Sequence, residues 1–533
     1  MNTTSGGRPV IIAVDIGTTS TKVLAVETAS LMPGGAGAAG AAIVARTEHP
    51  YPLDTPEPGA AVQDPLAIAR AAASAVREAV AAGAIAPEDV TAVSFSSAMH
   101  GLIAVDEAGN PLTPCLTWAD TRAGGAAAAL RNEGRAAELC GRTGVPVHAM
   151  TPLCKLIWLR ESNPAVFRTA SHFIGIKEFV LSRWFDGPYV MDESVAGGTG
   201  LYNLRLRDWD EEMLKLAGIG AERLPGLVPS SHLLKGMRPE AAAAMGLRPD
   251  VPVVCGAADG VLANLGAGAL EPGIANITVG TSGAVRTAVR EPRTDPAGRL
   301  FCYPLADGYW IAGGPVNSGG MVFRWIRDKL VPDLADKDEL GSSEAYTRLV
   351  EMAEEVPPGA GGLLFLPHLA GERAPHWDEN ARGVYFGLTL EHDRRHMLRA
   401  GLEGIVFGLR TVVEAASSFT GPLREIRASG GFARSEGIRR LMADMLGTTL
   451  TLTDSEESSA IGAARLALFA LGRIDSLSVF AEGQRVTDRS EPDPMRAAAY
   501  DRLYPAFRAL YGRVRDSFGD LADYRRTEAP DLS

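Results

Sequence analysis

Asp15 closes one apolar run, residues 10–16, and Lys22 stands at the head of the next, residues 21–27; between them lies Gly17-Thr18-Thr19-Ser20. A glycine turn lets backbone N–H groups approach an anion, and threonine and serine hydroxyls add donors. A carboxylate beside that cradle would repel phosphate unless a cation intervened. Mg²⁺, which gives up its waters reluctantly, suits a place between Asp15 and a phosphate. Lys22 either reaches the phosphates or faces outward from its strand. The pattern is not a P-loop, which needs GxxxxGK[ST] opening a helix. Here the turn joins two strands, so the competing reading is a plain hairpin with a polar turn.

A second copy weighs against that plain reading. Gly280-Thr281-Ser282 again separates two apolar runs, and Gly17 and Gly280 stand 263 residues apart, about half the chain. The repeat suggests two similar α/β domains facing each other. Two such hairpins could hold a nucleotide triphosphate from both sides. A third glycine feature, Gly430-Gly431 in "IRASGGFARSEGIRRLMADMLG", leaves room for a flat ring close to the backbone or simply satisfies the geometry of a βα turn.

The elements that must carry these turns are readable. Residues 10–16 and 21–27 read as strands around a tight turn, 64–83 as a helix ending at glycine, and "VTAVSFSSAM" as a strand. Strand-like and helical segments alternate up to about residue 255, as in a three-layer α/β domain. Residues 251–268 read as strand, glycine-rich turn and helix. After Gly431, Ile438, Leu441, Met442, Met445 and Leu446 fall on one helical face. Ser459, Ala460, Gly462 and Ala463 in "EESSAIGAARLALFA" permit close helix packing or close ligand approach. The Gly/Ala-rich patch at 33–42 reads as an enlarged loop. The tail beyond 470 is charged and partly helical, with no assigned chemistry.

Composition sets outer limits. A chain of 533 residues suggests roughly two to four domains. Hydrophobic content of 46% and charged content of 22% are those of a soluble globular protein. A net charge of −12 without a long basic run argues against a nucleic-acid surface. No run is long enough for a membrane span, and the first ten residues lack the pattern of a signal peptide. Cys115, Cys140, Cys154, Cys255 and Cys302 are scattered without a CxxC, so a reducing cytoplasm is expected, with neither a disulfide nor a zinc framework.

DIGTTSTK, GAADG, VGTSG, SGGFARSEGIRRLMADMLG and ESSAIGAA occur together in the order that resembles the FGGY carbohydrate kinases, over roughly residues 8 to 470. The segments "SSAMHGLIAVDEAGNPLTPCLTWADTRA" and "LPHLAGERAPHWDENARGVYFGL" resemble the gluconokinase branch most. The resemblance implies an α/β fold of two actin- and hexokinase-like (ribonuclease H-like) domains with a ligand cleft between them. Residues 1–265 would bind the sugar and carry the first hairpin, 266–470 would bind nucleotide, and 471–533 would be an extension. It implies ATP and Mg²⁺, a small sugar or sugar acid as partner, and a cytoplasmic enzyme; a homodimer is one expected assembly.

Residue by residue, the resemblance makes Asp259 in GAADG the catalytic base, with a helix N-cap as its plainer role. Met99 and His100 would contact the sugar, with Trp118, Asp120 and Arg122 as the next group. Arg122 would bind a substrate carboxylate or hold Asp120 in place. Lys155 and Arg373 are further cationic candidates. Ser194 and Thr199 lie in a segment matching the sugar site, in either a ligand or a structural role. Asp15 would serve the metal; Gly17, Thr18, Thr19, Ser20, Lys22, Gly280, Thr281, Ser282, Gly430 and Gly431 would serve the nucleotide. The expected reaction is ATP plus D-gluconate to 6-phosphogluconate and ADP. The rivals are a xylulokinase or other pentulose or polyol kinase, and a non-catalytic ATP-dependent switch. A redox dinucleotide enzyme is disfavoured because no GxGxxG follows the first strand.

Overall fold

The computed structural model describes residues 7–32, 41–332, 343–453, 457–481 and 486–528. Most of the Gly/Ala-rich patch, 33–40, lies outside them. The chain divides into two compact units, neither a single stretch: one takes 1–271, 288–311 and 457–485, the other 272–287, 312–456 and 486–533.

The first unit opens with β1 (Val10–Ile16) and β2 (Ser20–Glu27), antiparallel, with Asp15 opposite Lys22. β3 (Ile43–Pro50) pairs with β2. Helix α1 (Pro65–Ala82) starts as its sequence dictates: the Asp64 side chain accepts from Leu66 N–H, and Pro65 takes the first helical position, where no N–H is needed. β4 (Val90–Ser97) returns parallel to β1. Helix α2 (Pro152–Ser162) follows, then β5 (Leu233–Leu234) and β6 (Val253–Ala258). The sheet order is β5-β6-β4-β1-β2-β3. Val10, Ile12, Val14 and Ile16 share a core with Ile68, Ala72, Val76 and Ala79 of α1, and β1 is also covered on its other face, which explains its near-continuous apolar run. Gly256 sits at φ +80°, and a Cβ there would lie 1.8 Å from Phe95 O. The β6–β4 register slips between Val254 and Ala257, around that glycine, and the strand then runs straight into α3 (Asp259–Gly266).

In the second unit, apart from the last two residues of β8, β7 (Ile274–Val279) and β8 (Gly283–Val289) form the second hairpin. β9 (Trp310–Val316), α4 (Gly320–Leu330), α5 (Ser343–Glu354) and the long α6 (Arg394–Thr420) follow. β10 (Glu425–Ser429) runs parallel to β7, α7 (Glu436–Leu446) crosses over, and β11 (Thr449–Thr453) runs parallel to β10. On α7, Ile438, Leu441, Met442 and Met445 are buried as the periodicity predicts. Helix α8 (Ser458–Ala470) returns to the first unit and packs on β1, β4 and α3. β12 (Val486–Ser490) then pairs antiparallel with β11, and α9 (Pro494–Glu528) closes the described chain. Among the described residues the second sheet has seven strands; beyond its extra edge strand Phe301–Pro304, the order β9-β8-β7-β10-β11-β12 matches β3-β2-β1-β4-β6-β5. The two glycine turns are thus the visible part of a duplicated sheet.

The five cysteines are buried thiols. Among the described residues no helix is long and apolar enough to cross a membrane.

Candidate functional site

The first turn is built outward from the body of its unit. Gly17 N–H donates to Ser20 O at 3.0 Å and closes the hairpin. Each turn carbonyl is then taken: Gly17 O by Tyr51 Oη at 2.7 Å, Thr18 O by Gln63 Nε2 at 2.6 Å, and Thr19 O by Tyr51 N–H at 3.1 Å. In a trans peptide the following N–H points opposite to the carbonyl. Fixing the carbonyls of Gly17 and Thr18 inward therefore aims the N–H groups of Thr18 and Thr19 outward, as an anion cradle requires. Ser20 differs from Thr18 and Thr19. It is buried, and its hydroxyl donates to Glu48 at 2.6 Å.

Asp15, at the end of β1, accepts from Ser96 Oγ at 2.6 Å across the parallel ladder. Burial, then the charges of Asp259 and Glu457, push its carboxyl up to about 7 against the opposing pull of Ser96 and Lys22. A second carboxylate that raises Asp15 in this way marks an electrostatic place for a cation. Among the described residues no cluster of three or more His, Cys, Asp or Glu side chains encloses a metal. One or two carboxylates with waters and phosphates is the set Mg²⁺ uses, so the residues fit it.

Asp259 is the first residue of α3, and the N-cap position belongs to Ala258, so the N-cap role is corrected. Its Oδ1 accepts from the adjacent Gly260 N–H at 2.6 Å. Ser194 supports the corner from behind, its Oγ accepting from Ala258 N–H at 3.2 Å. Thr199 is likewise turned to backbone, bonding Ala196 O and Leu201 N–H. Behind Asp259, α3 and α8 touch backbone to backbone: a Cβ on Gly266 would lie 1.8 Å from Ser458 O, and one on Gly462 2.1 Å from Leu262 O. The small residues of α8 thus serve helix packing. They brace the helix that Asp259 heads.

Met99 and His100 follow β4. His100 is held at φ +68°, a conformation costing on the order of 1–3 kcal/mol. Its Nδ1 lies 2.7 Å from Gly198 O, and a Cβ on Gly198 would meet Met99 Cε at 2.4 Å. Lys155 explains how the loop is kept there. It is buried on α2, and its Nζ donates to His100 O, Leu116 O and Thr117 O at 2.6, 3.0 and 2.7 Å. Burial pulls its ammonium down to about 7, while three carbonyl oxygens match the three protons of the charged form. Lys155 is therefore a scaffold cation enclosed by backbone. Asp120 is also buried and is gripped by Arg122 through Nε at 3.1 Å and Nη2 at 2.7 Å. Arg122 reaches Glu57 with Nη1 at 2.7 Å and lies 4.6 Å over the Trp158 ring. Trp118 joins this group to the phosphate turn through Thr18.

On the second unit the Gly280 turn repeats the device. Gly320 N–H donates to Gly280 O at 2.8 Å and Met321 N–H to Thr281 O at 3.0 Å, so the start of α4 pins the turn's carbonyls. Gly430, at φ +88°, brings its backbone so near that a Cβ would lie 2.5 Å from Val279 O. A cavity of about 410 Å³ opens between Gly280-Thr281 and Gly431, walled by Phe323, Tyr346 and Phe432. Thr281, Gly280 and Gly431 therefore share one cavity. Arg373 is half-buried, with Nε on Asn317 Oδ1 at 2.7 Å and Nη2 on Val316 O at 3.2 Å.

Sequence reasoning passed over Glu457, which pairs with Arg46 and, at 3.7 Å, with Lys22. It stood in a quoted motif, but its partners lie some 400 residues away and leave no local mark. Tyr346 and Phe323 carry no motif at all. Ser96 was findable only through the strand register.

Residues 10–266 match the N-terminal domain of the FGGY family of carbohydrate kinases, and residues 275–471 match its C-terminal domain. A gluconokinase of Bacillus subtilis (strain 168) is 41% identical over 97% of this chain and 98% of its own length. Two solved structures from Lactobacillus acidophilus, a ligand-bound xylulose kinase and a gluconate kinase, superpose with TM-scores of 0.89 and 0.89 at 34% and 34% identity. Each covers 96% of this chain, and this chain covers 100% and 99% of theirs. Glycine turns in duplicate, an aspartate at the head of a braced helix and two domain matches that together span most of the chain lead to one conclusion: the chain belongs to the FGGY family of carbohydrate kinases.

Proposed function

We propose that this chain transfers the γ-phosphoryl group of ATP to D-gluconate, giving 6-phosphogluconate and ADP. The observation that carries this reading is the full-length 41% identity to a gluconokinase. Asp259 accepts the proton of the attacking hydroxyl as the new P–O bond forms and ADP leaves. The Thr18 and Thr19 N–H groups and the Gly280-Thr281 turn bind phosphate oxygens, and the Phe323–Tyr346–Phe432 cavity takes the nucleoside. Asp15 would hold Mg²⁺ through water; when bound, Mg²⁺ neutralises phosphate charge. Catalysis in this chemistry is mostly positioning and charge stabilisation, so rigid turns matter more than reactive groups.

Met99, His100, Trp118 and Asp120 are the sugar-facing group, with residues 1–265 carrying the sugar role and 266–470 the nucleotide role. The exception to that division is Arg373, to which the carboxylate of gluconate is assigned although it lies in the 266–470 half. Lys155 is enclosed, and Arg122 is committed to Asp120 and Glu57, which favours the positioning role for Arg122. The equal superposition on a ligand-bound xylulose kinase favours a second reading, a pentulose kinase. A substrate panel read by ADP release separates the two. Gluconate ahead of xylulose, glycerol and other neutral polyols in kcat/KM supports the first; a neutral ketose ahead of gluconate supports the second.

A further inference from the structure

The loop that carries Arg373 closes on itself. Glu372 and Asp378 exchange N–H···O bonds of 2.9 Å, and the N–H groups of His376 and Trp377 donate to Arg373 O at 2.8 and 2.6 Å. Residues 372–378 thus form a ring of backbone, and any tilt of the ring moves Arg373 with it. One side is fixed from within. Glu372 is buried, and its carboxylate accepts from Asn317 N–H at 2.5 Å, Ser318 Oγ at 2.6 Å, Arg373 N–H at 2.9 Å and His368 Nδ1 at 3.1 Å. Ala374 N–H donates to Pro315 O at 2.9 Å.

The other side is fixed by the tail of the chain. Tyr511 on α9 donates its hydroxyl to Asp378 Oδ2 at 2.8 Å, and its ring stacks on the His376 imidazole with centroids 3.6 Å apart and planes 18° from parallel. Burial, first, holds His376 down to about 4, so the stacked ring is neutral near pH 7. The rest of α9 does not need this contact to stay docked: Tyr500, Tyr504, Phe507 and Leu510 are buried one turn after another before it. Tyr511 is where that packed helix reaches the Arg373 ring. The fit is close, with about 10 Å³ of free volume among His368, His376 and Tyr511.

We infer that Tyr511 is a positioning residue for substrate recognition, holding the 372–378 ring through Asp378 and His376 so that the Arg373 guanidinium stays aimed. This gives the C-terminal extension a part in the reaction. The inference rests on the assignment of Arg373 to the substrate carboxylate, and its experiment tests the two separately.

Tyr511→Ala removes both contacts, and Tyr511→Phe removes only the hydrogen bond. Tyr504→Ala is the control: it takes a buried ring that packs on Phe407 from the same helix without touching the ring of residues 372–378. Misplacement of a substrate-orienting group by about 1 Å costs up to about a hundredfold. Tyr511→Ala should raise KM for gluconate about ten- to a hundredfold while kcat and KM for ATP stay within about twofold. Tyr511→Phe should give a smaller rise in the same constant. Tyr504→Ala should lower Tm and leave KM for gluconate unchanged. An unchanged KM in folded Tyr511→Ala, with a raised KM in Arg373→Ala, overturns the inference alone. An unchanged KM in Arg373→Ala overturns the assignment beneath it. Should Tyr511→Ala fail to fold, Tyr511→Phe decides, an unchanged KM again overturning the inference.

Discussion

Trp118 Nε1 donates a 2.8 Å hydrogen bond to Thr18 Oγ1, exactly one hundred residues back in the chain. A side chain of the segment proposed to face the sugar thereby sets the rotamer of a hydroxyl in the turn proposed to bind phosphate. The bond ties the Thr18 rotamer, and with it the hydroxyl's remaining proton, to the position of an indole.

Trp118→Phe should keep most of the ring and lose this bond. A neutral hydrogen bond is worth about 0.5–1.5 kcal/mol, so kcat/KM for ATP should fall about two- to tenfold. Thr18→Val should give a similar fall, and the double variant little more, because the two share one interaction. Additive losses in steady-state kinetics would mean that the two side chains act separately.

Asp15 yields a pH prediction whose sign is fixed. Its folded carboxyl stands near 7, above the ordinary value of 3.8. Between those values the folded protein holds a proton that the unfolded chain has released, so stability falls as pH climbs through the window and levels above it. In EDTA and without nucleotide, Asp15→Asn should therefore match wild type at pH 4 and exceed it at pH 8, by roughly 2 kcal/mol after allowing for its partial exposure. The same variant should lose turnover strongly. Equal melting at pH 8, measured by calorimetry, would show that Asp15 is ionised without penalty.

Much of this was legible because it is local. Gly17-Thr18-Thr19 and Gly280-Thr281 announce themselves by residue type over three positions, and α1 by Asp64, Pro65 and its period. The assignment of Asp259 rests on the resemblance of GAADG. What stayed hidden depends on distant partners. Lys155 reads as a cation available to a carboxylate until the fold surrounds it with three carbonyls. Ser20 looks like a third phosphate donor until its hydroxyl donates instead to Glu48, on β3. Glu457 needs α8 to return to the first unit before it can meet Lys22. A single sequence records residue types at each position but not which burial each will meet.

Arg122 separates holding from binding. Asp120 is buried, and Arg122 supplies its compensating charge. Arg122→Met should cost about 3–5 kcal/mol of stability by leaving that carboxylate unpaired. The further change Asp120→Asn in the same chain should recover part of it. If Arg122→Met is as stable as wild type in urea but binds gluconate poorly, the guanidinium belongs to the substrate instead.

The base assignment has the sharpest test. Asp259 heads α3 without capping it, and α8 holds that helix at backbone contact. Asp259→Asn should therefore leave the helix and the braced corner in place, since the amide oxygen can still accept from Gly260 N–H. It cannot take a proton from a sugar hydroxyl. Phosphoryl transfer should fall by about 10²–10⁴, the range typical of losing a general base. ATP and gluconate should still bind, because the turn carbonyls held by Tyr51 and Gln63, and the His100 loop held by Lys155, are untouched. Calorimetry reports the binding and ADP release reports the transfer. Transfer that survives with normal binding would place the base elsewhere. Wild-type protein that binds ATP yet phosphorylates no sugar on the panel would favour the switch reading over the kinase.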